Sequence, residues 1–267
     1  MNNQDSACKR VGVTVLGSGS KGNATLVHCG NDAIMVDAGF TLKETGRRIK
    51  SIGLDGLEIH GILVTHEHED HIKGVRLCSE QYGAPIYATR KCADVLRYRD
   101  EKIRQMVTFA PGGSFQIGSF TICPFTIPHD ANDPVAFVIY CNNVKIAVAT
   151  DIGYVSSVVE YELHSCDTLV IESNHDLNML AASSRPWSLK QRIMGRHGHL
   201  SNDASQQLLE KIVDEHTKHV ILAHLSNECN KLELAEQGAH DMLDSIGRKD
   251  VSLDVALQDA PLSTVWS

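Results

Sequence analysis

The chain has 267 residues, 42 % of them hydrophobic, which is enough apolar side chain to close a large core and excludes a disordered segment. Its formal net charge of −8 at pH 7 excludes a protein that coats nucleic acid by bulk charge alone. It does not exclude a nuclease, because bound metal ions supply positive charge locally. One domain over residues 1–267 is the simplest reading of this length. The eight cysteines (Cys8, Cys29, Cys78, Cys92, Cys123, Cys141, Cys166 and Cys229) include no CxxC pair. Met1-Asn2-Asn3-Gln4-Asp5 lacks the basic-then-apolar pattern of a secretory signal, and no apolar run is long enough to span a bilayer. Reduced core thiols in a cytoplasmic protein are therefore expected.

In chain order, residues 1–10 read as a frayed polar end and Val11–Leu16 as a strand. Gly17-Ser18-Gly19-Ser20-Lys21-Gly22-Asn23 follows. Its glycines let backbone N–H groups approach an anion and Lys21 adds a cation, so Ser20, Lys21 and Asn23 are candidates for a substrate contact. The loop matches neither GxxxxGK[ST] nor GxGxxG, and it also serves as a plain turn between two strands. Ala24–Cys29 and Ala33–Val36 are the next strands, joined at Gly30-Asn31-Asp32. Asp37 follows a buried apolar run, where a carboxylate needs partners. It is expected to hold a ligand histidine, or the loop itself, in place by hydrogen bonding. Leu42–Ile52 reads as a helix whose Lys43, Arg47, Arg48 and Lys50 make a solvated basic face.

Ile59-His60-Gly61-Ile62-Leu63-Val64 reads as a buried strand, and a helix is expected from Ile72 to Gln81. Between them lies Thr65-His66-Glu67-His68-Glu69-Asp70-His71, a strand-to-helix loop of the kind that carries ligands in open α/β sheets. From this one tight loop His66, His68, Asp70 and His71 can point at two metals. Imidazole and carboxylate suit zinc, manganese and iron.

Pro85–Ala88 is a short strand, and Thr89–Arg104 is helical or helix-loop. Arg90, Lys91, Arg97, Arg99, Lys102 and Arg104 make it the densest cationic segment, either a charged helix face or a contact for a polyanion backbone. Phe115–Ile117 and Phe120–Ile127 form a hairpin running into Pro128-His129-Asp130. Ala136–Cys141 and Lys145–Ala149 form another, running into Thr150-Asp151. A carboxylate directly after Ile-Ala-Val-Ala is costly unless a metal neutralises it. Cys166–Ile171 ends in Glu172-Ser173-Asn174-His175-Asp176. Residues 177–198 are helix and loop, with Arg185, Lys190, Arg192, Arg196 and His197 as a second basic patch. Gly198-His199-Leu200-Ser201-Asn202 leads into an amphipathic helix reaching about His216, capped by Ser201 or Asn202. His219–Leu222 is a strand running into His224, Asn230–Ile246 a helix, and Val251–Leu257 a last strand. Strands and helices interleave throughout, which predicts an α/β sandwich.

Four strand ends thus deliver seven ligand-type side chains. His66, His68 and His129 would hold one ion, Asp70, His71 and His224 a second, with Asp151 between them. This pattern, with Asp37 upstream, resembles the metallo-β-lactamase superfamily across nearly the whole chain. No cysteine stands beside the motif, unlike the β-lactamases that place a thiolate at the second metal. Within the superfamily the chain is similar to the YycJ/WalJ-type (VicX) subfamily of single-domain exonucleases. The residues that carry this are Leu16–Ala24, Val64–Ile72, Thr150–Gly153, Glu172–Asp176, Gly198–Asn202 and Ala223–Ser226. The chain is too short for the inserted β-CASP domain of RNase J-like enzymes and shows no long exosite arm of the tRNase Z kind.

The resemblance implies a four-layer αβ/βα sandwich and two divalent ions, for which these ligands permit manganese, zinc and iron alike. It also implies phosphodiester hydrolysis, 5′–3′ on the ends of DNA or RNA. On that reading Asp70 orients the attacking oxygen while ligating the second ion. His199 and His175 are candidates to protonate the leaving oxygen or touch phosphate, with Ser201 beside them at a helix N-terminus that favours anions. The basic segments 90–104 and 185–197 would guide a nucleic acid substrate, single-stranded or at an end. A small-molecule phosphodiesterase, lactonase or thioesterase on the same metals is the alternative, and a metal-binding regulator without turnover is the reading from another class.

Overall fold

The computed structural model describes residues 10–267, so the polar end read over residues 1–10 lies, apart from Arg10, outside the described residues, as does Cys8. The first half of the chain runs β1 (Val11–Gly17), β2 (Ala24–Cys29), β3 (Asp32–Val36), α1 (Leu42–Ser51), β4 (Glu58–Leu63), α2 (Glu69–Ile72), α3 (Val75–Tyr82), β5 (Ile86–Thr89), α4 (Arg90–Arg99) and β6 (Met106–Phe109). The second half runs β7 (Phe115–Ile117), β8 (Phe120–Thr126), β9 (Val135–Cys141), β10 (Val144–Ala149), α5 (Ser157–Leu163), β11 (Thr168–Glu172), α6 (Leu177–Ala182), α7 (Trp187–Ile193), α8 (Asn202–Ile212), β12 (His219–Ala223), α9 (Leu232–Ser245), β13 (Ser252–Val255) and β14 (Val265–Trp266).

These strands make two seven-stranded sheets, ordered β14-β1-β2-β3-β4-β5-β6 and β13-β12-β11-β10-β9-β8-β7. Each is antiparallel on one side, through β1-β2-β3 and β7-β8-β9-β10, and parallel on the other. The parallel pairs β3-β4-β5-β6 and β10-β11-β12-β13 are joined by helical crossovers, as parallel pairing requires. The strands are apolar on both faces because both faces are covered. Alternate residues enter alternate layers: Val13, Val15, Val27, Ile34, Phe137, Ile139, Ile146 and Ile221 fill the space between the sheets. Leu16, Leu26, Met35 and Ile62 pack outward with Ile49, Val75 and Leu96 of the helices on the first sheet. Val138, Ala147, Leu169 and Leu222 do the same with Val159, Leu208 and Leu243 on the second. Helices, sheet, sheet and helices give the αβ/βα sandwich. Among the described residues no helix is long and apolar enough to cross a membrane.

Three expectations are corrected. The helix expected from Ile72 to Gln81 is two, broken at Lys73-Gly74. A Cβ on Gly74 would stand 2.0 Å from the Phe40 carbonyl oxygen, so the chain passes too close there for any side chain. Arg48 is not solvated: it is buried over the Phe40 ring, and its Nη1 donates to the carbonyls of Leu16 and Gln258 at 2.8 and 2.9 Å. Lys190 does not belong to a surface patch either, because its buried ammonium donates to the carbonyls of Ala181 and Ser183, both at 2.7 Å. The segment read as helical or helix-loop is a helix followed by a loop: α4 ends at Arg99 and the chain leads into β6, an edge strand beside β5. Arg99 itself donates to the Glu67 carbonyl at 2.7 Å, tying α4 to the histidine loop. Among the cysteines, Cys78, Cys92, Cys166 and Cys229 are buried thiols. Burial pushes Cys78 up to about 11 and Cys166 up to about 12, which keeps them unreactive.

Candidate metal centre

The carboxyl ends of the parallel strands in the two sheets face one another. β3 is followed by Asp37, β4 by the 65–71 loop, β10 by Asp151 and β12 by His224. Asp37, Asp151 and His224 all have left-handed backbone, with φ of 60°, 60° and 57°. Each such residue without a glycine's freedom costs on the order of 1–3 kcal/mol, a strain that persists where the surrounding contacts over-determine it. Here the backbone is tied from several sides. Asn23 N–H donates to the Asp70 carbonyl at 2.8 Å, Ala38 N–H to the His71 carbonyl at 2.8 Å and Gly39 N–H to the Asn23 carbonyl at 2.9 Å. A Cβ on Gly39 would lie 1.8 Å from the Asp70 carbonyl oxygen and 2.6 Å from Asn23 N. Gly39→Ala is therefore expected to push the 69–71 turn aside, destabilising the fold by about 1–3 kcal/mol and weakening divalent-ion binding; paired thermal melts with and without added metal check both.

Three ring nitrogens converge on one side. His66 Nε2 lies 3.0 Å from His68 Nδ1, and His129 Nε2 lies 3.4 Å from the same atom. On the other side His71 Nε2 and His224 Nε2 lie 3.5 and 3.6 Å from Asp70 Oδ2. Asp151 stands between, with Oδ2 3.3 Å from His71 Nε2 and Oδ1 3.8 Å from His129 Nε2 and 3.4 Å from His224 Nδ1. His66, His68 and His129 form one set of candidate ligand atoms, Asp70, His71 and His224 another, and His66, His71 and Asp151 link the two. The seven side chains singled out in the sequence thus lie together.

Around them sit groups that orient the rings. Asp37 Oδ2 lies 2.7 Å from His71 Nδ1, and both Asp37 oxygens accept from Thr65. With carboxylate or carbonyl as partner, the facing nitrogen carries the proton and its opposite nitrogen is left to coordinate. His129 Nδ1, 3.1 Å from the Gly198 carbonyl, follows the same logic. Glu172, absent from the expected site residues, is the largest such group. It is fully buried and accepts from His199 Nδ1, His224 Nδ1, Ile152 N–H and Leu200 N–H, each at 2.9 Å. The signal that singled out Asp151, a carboxylate directly after a buried strand, is present at Glu172 too.

The donor set fits divalent ions. His224 Nε2 and Asp151 Oδ2 are buried and make no hydrogen bond, an expensive condition unless a cation completes them. Charge tells the same story. Burial opposes ionisation of Asp70 and Asp151, yet the His71 and His224 rings hold both carboxyls far below the usual range. Burial also opposes Glu172, which His199 and His224 nevertheless draw down to about 2. Against its own burial His224 is raised to about 10, by Asp151, Asp70 and Glu172. His71 is likewise raised against its burial, by Asp37, Asp151 and Asp70, and burial holds His66 well below the ordinary value. A buried cluster of ionised carboxylates that recruits protons onto its histidines is one where bound cations would release those protons.

The cluster opens into a cavity of about 220 Å³ lined by His68, Asp70, His129, Asp151, His199 and His224, with Ser20, Arg185 and Arg192 at its edge. Of the 17–23 loop, Ser20 reaches this cavity, and Asn23 is buried with Nδ2 3.1 Å from His71 Nε2 and 3.3 Å from Asp70 Oδ2. Lys21 does not: its side chain is exposed, and its N–H donates to Gln258 Oε1 at 2.7 Å. His199 lines the cavity, whereas His175 and Ser201 line the neighbouring one and pair through a β-bridge. Ser201 is the cap of α8, its Oγ accepting from Ala204 N–H at 3.1 Å. Arg192 and Arg185 are paired with Asp130 and Glu228 at 2.6 and 3.0 Å.

A family model described as a β-lactamase superfamily domain matches residues 32–225. The chain is 36 % identical over 236 residues to a Bacillus anthracis protein named exodeoxyribonuclease YycJ, covering 88 % of this chain and 89 % of that one. It is 32 % identical over 246 residues to Streptococcus pneumoniae exodeoxyribonuclease WalJ, covering 91 % and 90 %. Its fold is similar to the crystal structure of the metallo-β-lactamase fold protein YhfI from Bacillus subtilis, with a TM-score of 0.70, 16 % identity and coverage of 95 % and 99 %. With its paired strand ends and converging histidines, the chain belongs to the metallo-β-lactamase superfamily, in the branch of YycJ and WalJ.

Proposed function

We propose that the protein is a dinuclear-metal-dependent phosphodiester hydrolase, an exonuclease that acts 5′–3′ on DNA ends. The observation that carries this is the meeting of two ligand sets on Asp151 at the floor of a cavity edged by Arg185 and Arg192. The relatives named exodeoxyribonucleases support the same reading. His66, His68 and His129 would hold one ion, Asp70, His71 and His224 the other, and Asp151 would touch both; manganese, zinc and iron all suit these donors. When bound, two such ions polarise a phosphoryl oxygen and make a water acidic enough to attack it.

The chain's own residues do the rest. Asp70 lies partly buried at the cavity and orients the attacking oxygen. Glu172 fixes the Nδ1 proton of His199, so that Nε2 faces the cavity and can deliver a proton to the leaving oxygen. Ser20 and the two arginines steady the backbone phosphates, Arg185 and Arg192 through the N–H groups their carboxylate partners leave over. The chain is read as one domain that works in a reducing, cytoplasmic setting.

Metal-reconstituted protein incubated with 5′-labelled single-stranded and duplex DNA and RNA, beside His68→Ala, tests the reading. Stepwise loss of nucleotides, faster on DNA and abolished in the variant, is the expected result. No cleavage with manganese, zinc or iron would contradict it and leave a small-molecule ester as the substrate. His199→Ala is expected to lower turnover by roughly a hundredfold or more while the metal content stays unchanged; equal turnover would remove its role as proton donor.

A further inference from the structure

A second cavity, of about 300 Å³, adjoins the metal centre, and His199 forms part of the wall of both. Its walls are largely apolar, from Val155, Leu177, Leu200 and Leu208, with Tyr154 and Gln207 also lining it. That is the make-up of a small-molecule pocket: concave, mostly apolar, with a few polar groups to fix orientation. The cation among its lining residues, Lys211, is already paired with Glu160 at 3.0 Å. The hydroxyl of Ser201 is engaged in capping α8. His175 is different. It is 1 % exposed, and its Nδ1 has no hydrogen-bond partner. That nitrogen is sealed from the cavity, so the imidazole contributes shape to the wall rather than a hydrogen bond. The metal centre, with its two arginines and the ions it would hold, suits phosphate; this cavity suits a neutral flat ring. Tyr154 adds an aromatic surface, itself held by the Arg196 guanidinium 4.5 Å from the ring centre.

We propose that this cavity is a nucleobase subsite, taking the base of the nucleotide whose phosphate lies at the metal centre. The inference rests on the phosphodiesterase reading above. The base lies between the leucine walls, with the His175 ring and Gln207 also in the lining. His199 stands where the base cavity meets the phosphate cavity. An end whose terminal nucleotide can leave the stack and enter the cavity is then preferred over one that cannot.

The test compares two single-stranded oligonucleotides, one with an ordinary terminal nucleotide and one whose terminal nucleotide is abasic, on metal-loaded protein. The base-bearing end is expected to have a kcat/KM about tenfold higher or more, the loss typical of one stacked base. Ala204→Trp fills the cavity from the first turn of α8, where Ala204 is only partly buried, and is expected to bring the ratio close to one with metal content unchanged. Fluorescence quenching of 2-aminopurine deoxynucleoside monophosphate gives a readout independent of turnover, present in the wild type and lost in Ala204→Trp. Equal cleavage of both ends by the wild type overturns the subsite alone. Cleavage of neither end overturns the phosphodiesterase reading and the subsite with it.

Discussion

Replacing Asp151 by asparagine is expected to cut phosphodiester turnover by roughly a thousandfold, the equivalent of the several kcal/mol that a Lewis-acid centre contributes to a transition state. The substitution keeps the volume of a side chain that is only 2 % exposed, so the effect reads charge and donor chemistry rather than packing. Asp151 is where the two ligand sets meet, and its Oδ2 has no hydrogen bond. An asparagine turns one of the two oxygens into a donor that repels a cation. The same variant should lose most of the thermal stabilisation that added metal gives the wild type, which mass action puts at about 2.7 kcal/mol for a hundredfold excess over Kd. Wild-type turnover, or a wild-type response of the melting curve to metal, would remove Asp151 from the centre of the site.

Glu172→Ala is expected to destabilise the protein by about 3–5 kcal/mol, because it strands buried partners rather than removing a self-contained pair. Four donors converge on this carboxylate: two backbone N–H groups that close the 152 and 200 loops, and the Nδ1 atoms of His199 and His224. For a chain of this size the melting temperature should fall by about 10 °C. The two histidines, no longer held, should lower turnover as well. Glu172→Gln keeps one oxygen and the side-chain volume, and is expected to recover part of the stability and less of the activity. A melting curve for Glu172→Ala that superimposes on the wild type would show that these hydrogen bonds carry no net stability.

The contrast between Asp151 and Glu172 shows what a sequence can and cannot display. The histidine loop was legible because its ligands are contiguous, and His129, Asp151 and His224 because each ends an apolar strand. Glu172 ends one too, but its role is to hold two rings from behind, and only the fold brings those rings to it. The sandwich was legible from the interleaving of strands and helices. The break at Gly74 was not, since it comes from a backbone passing over Phe40, more than thirty residues away in sequence. Arg48 and Lys190 read as surface charges because composition cannot show that carbonyl oxygens line up around a buried cation. The left-handed backbone at Asp37, Asp151 and His224 is likewise invisible in residue identity, and three of the six such non-glycine residues among those described sit at the site.

The most direct measurement is the anomalous-scattering map of crystals of the metal-loaded protein, with the metal content determined on the same sample. The account predicts two ions per chain, one bonded to His66, His68 and His129, one to Asp70, His71 and His224, and Asp151 touching both. A single ion, or density confined to the surface group of Asp32, Glu58 and His60, would contradict it.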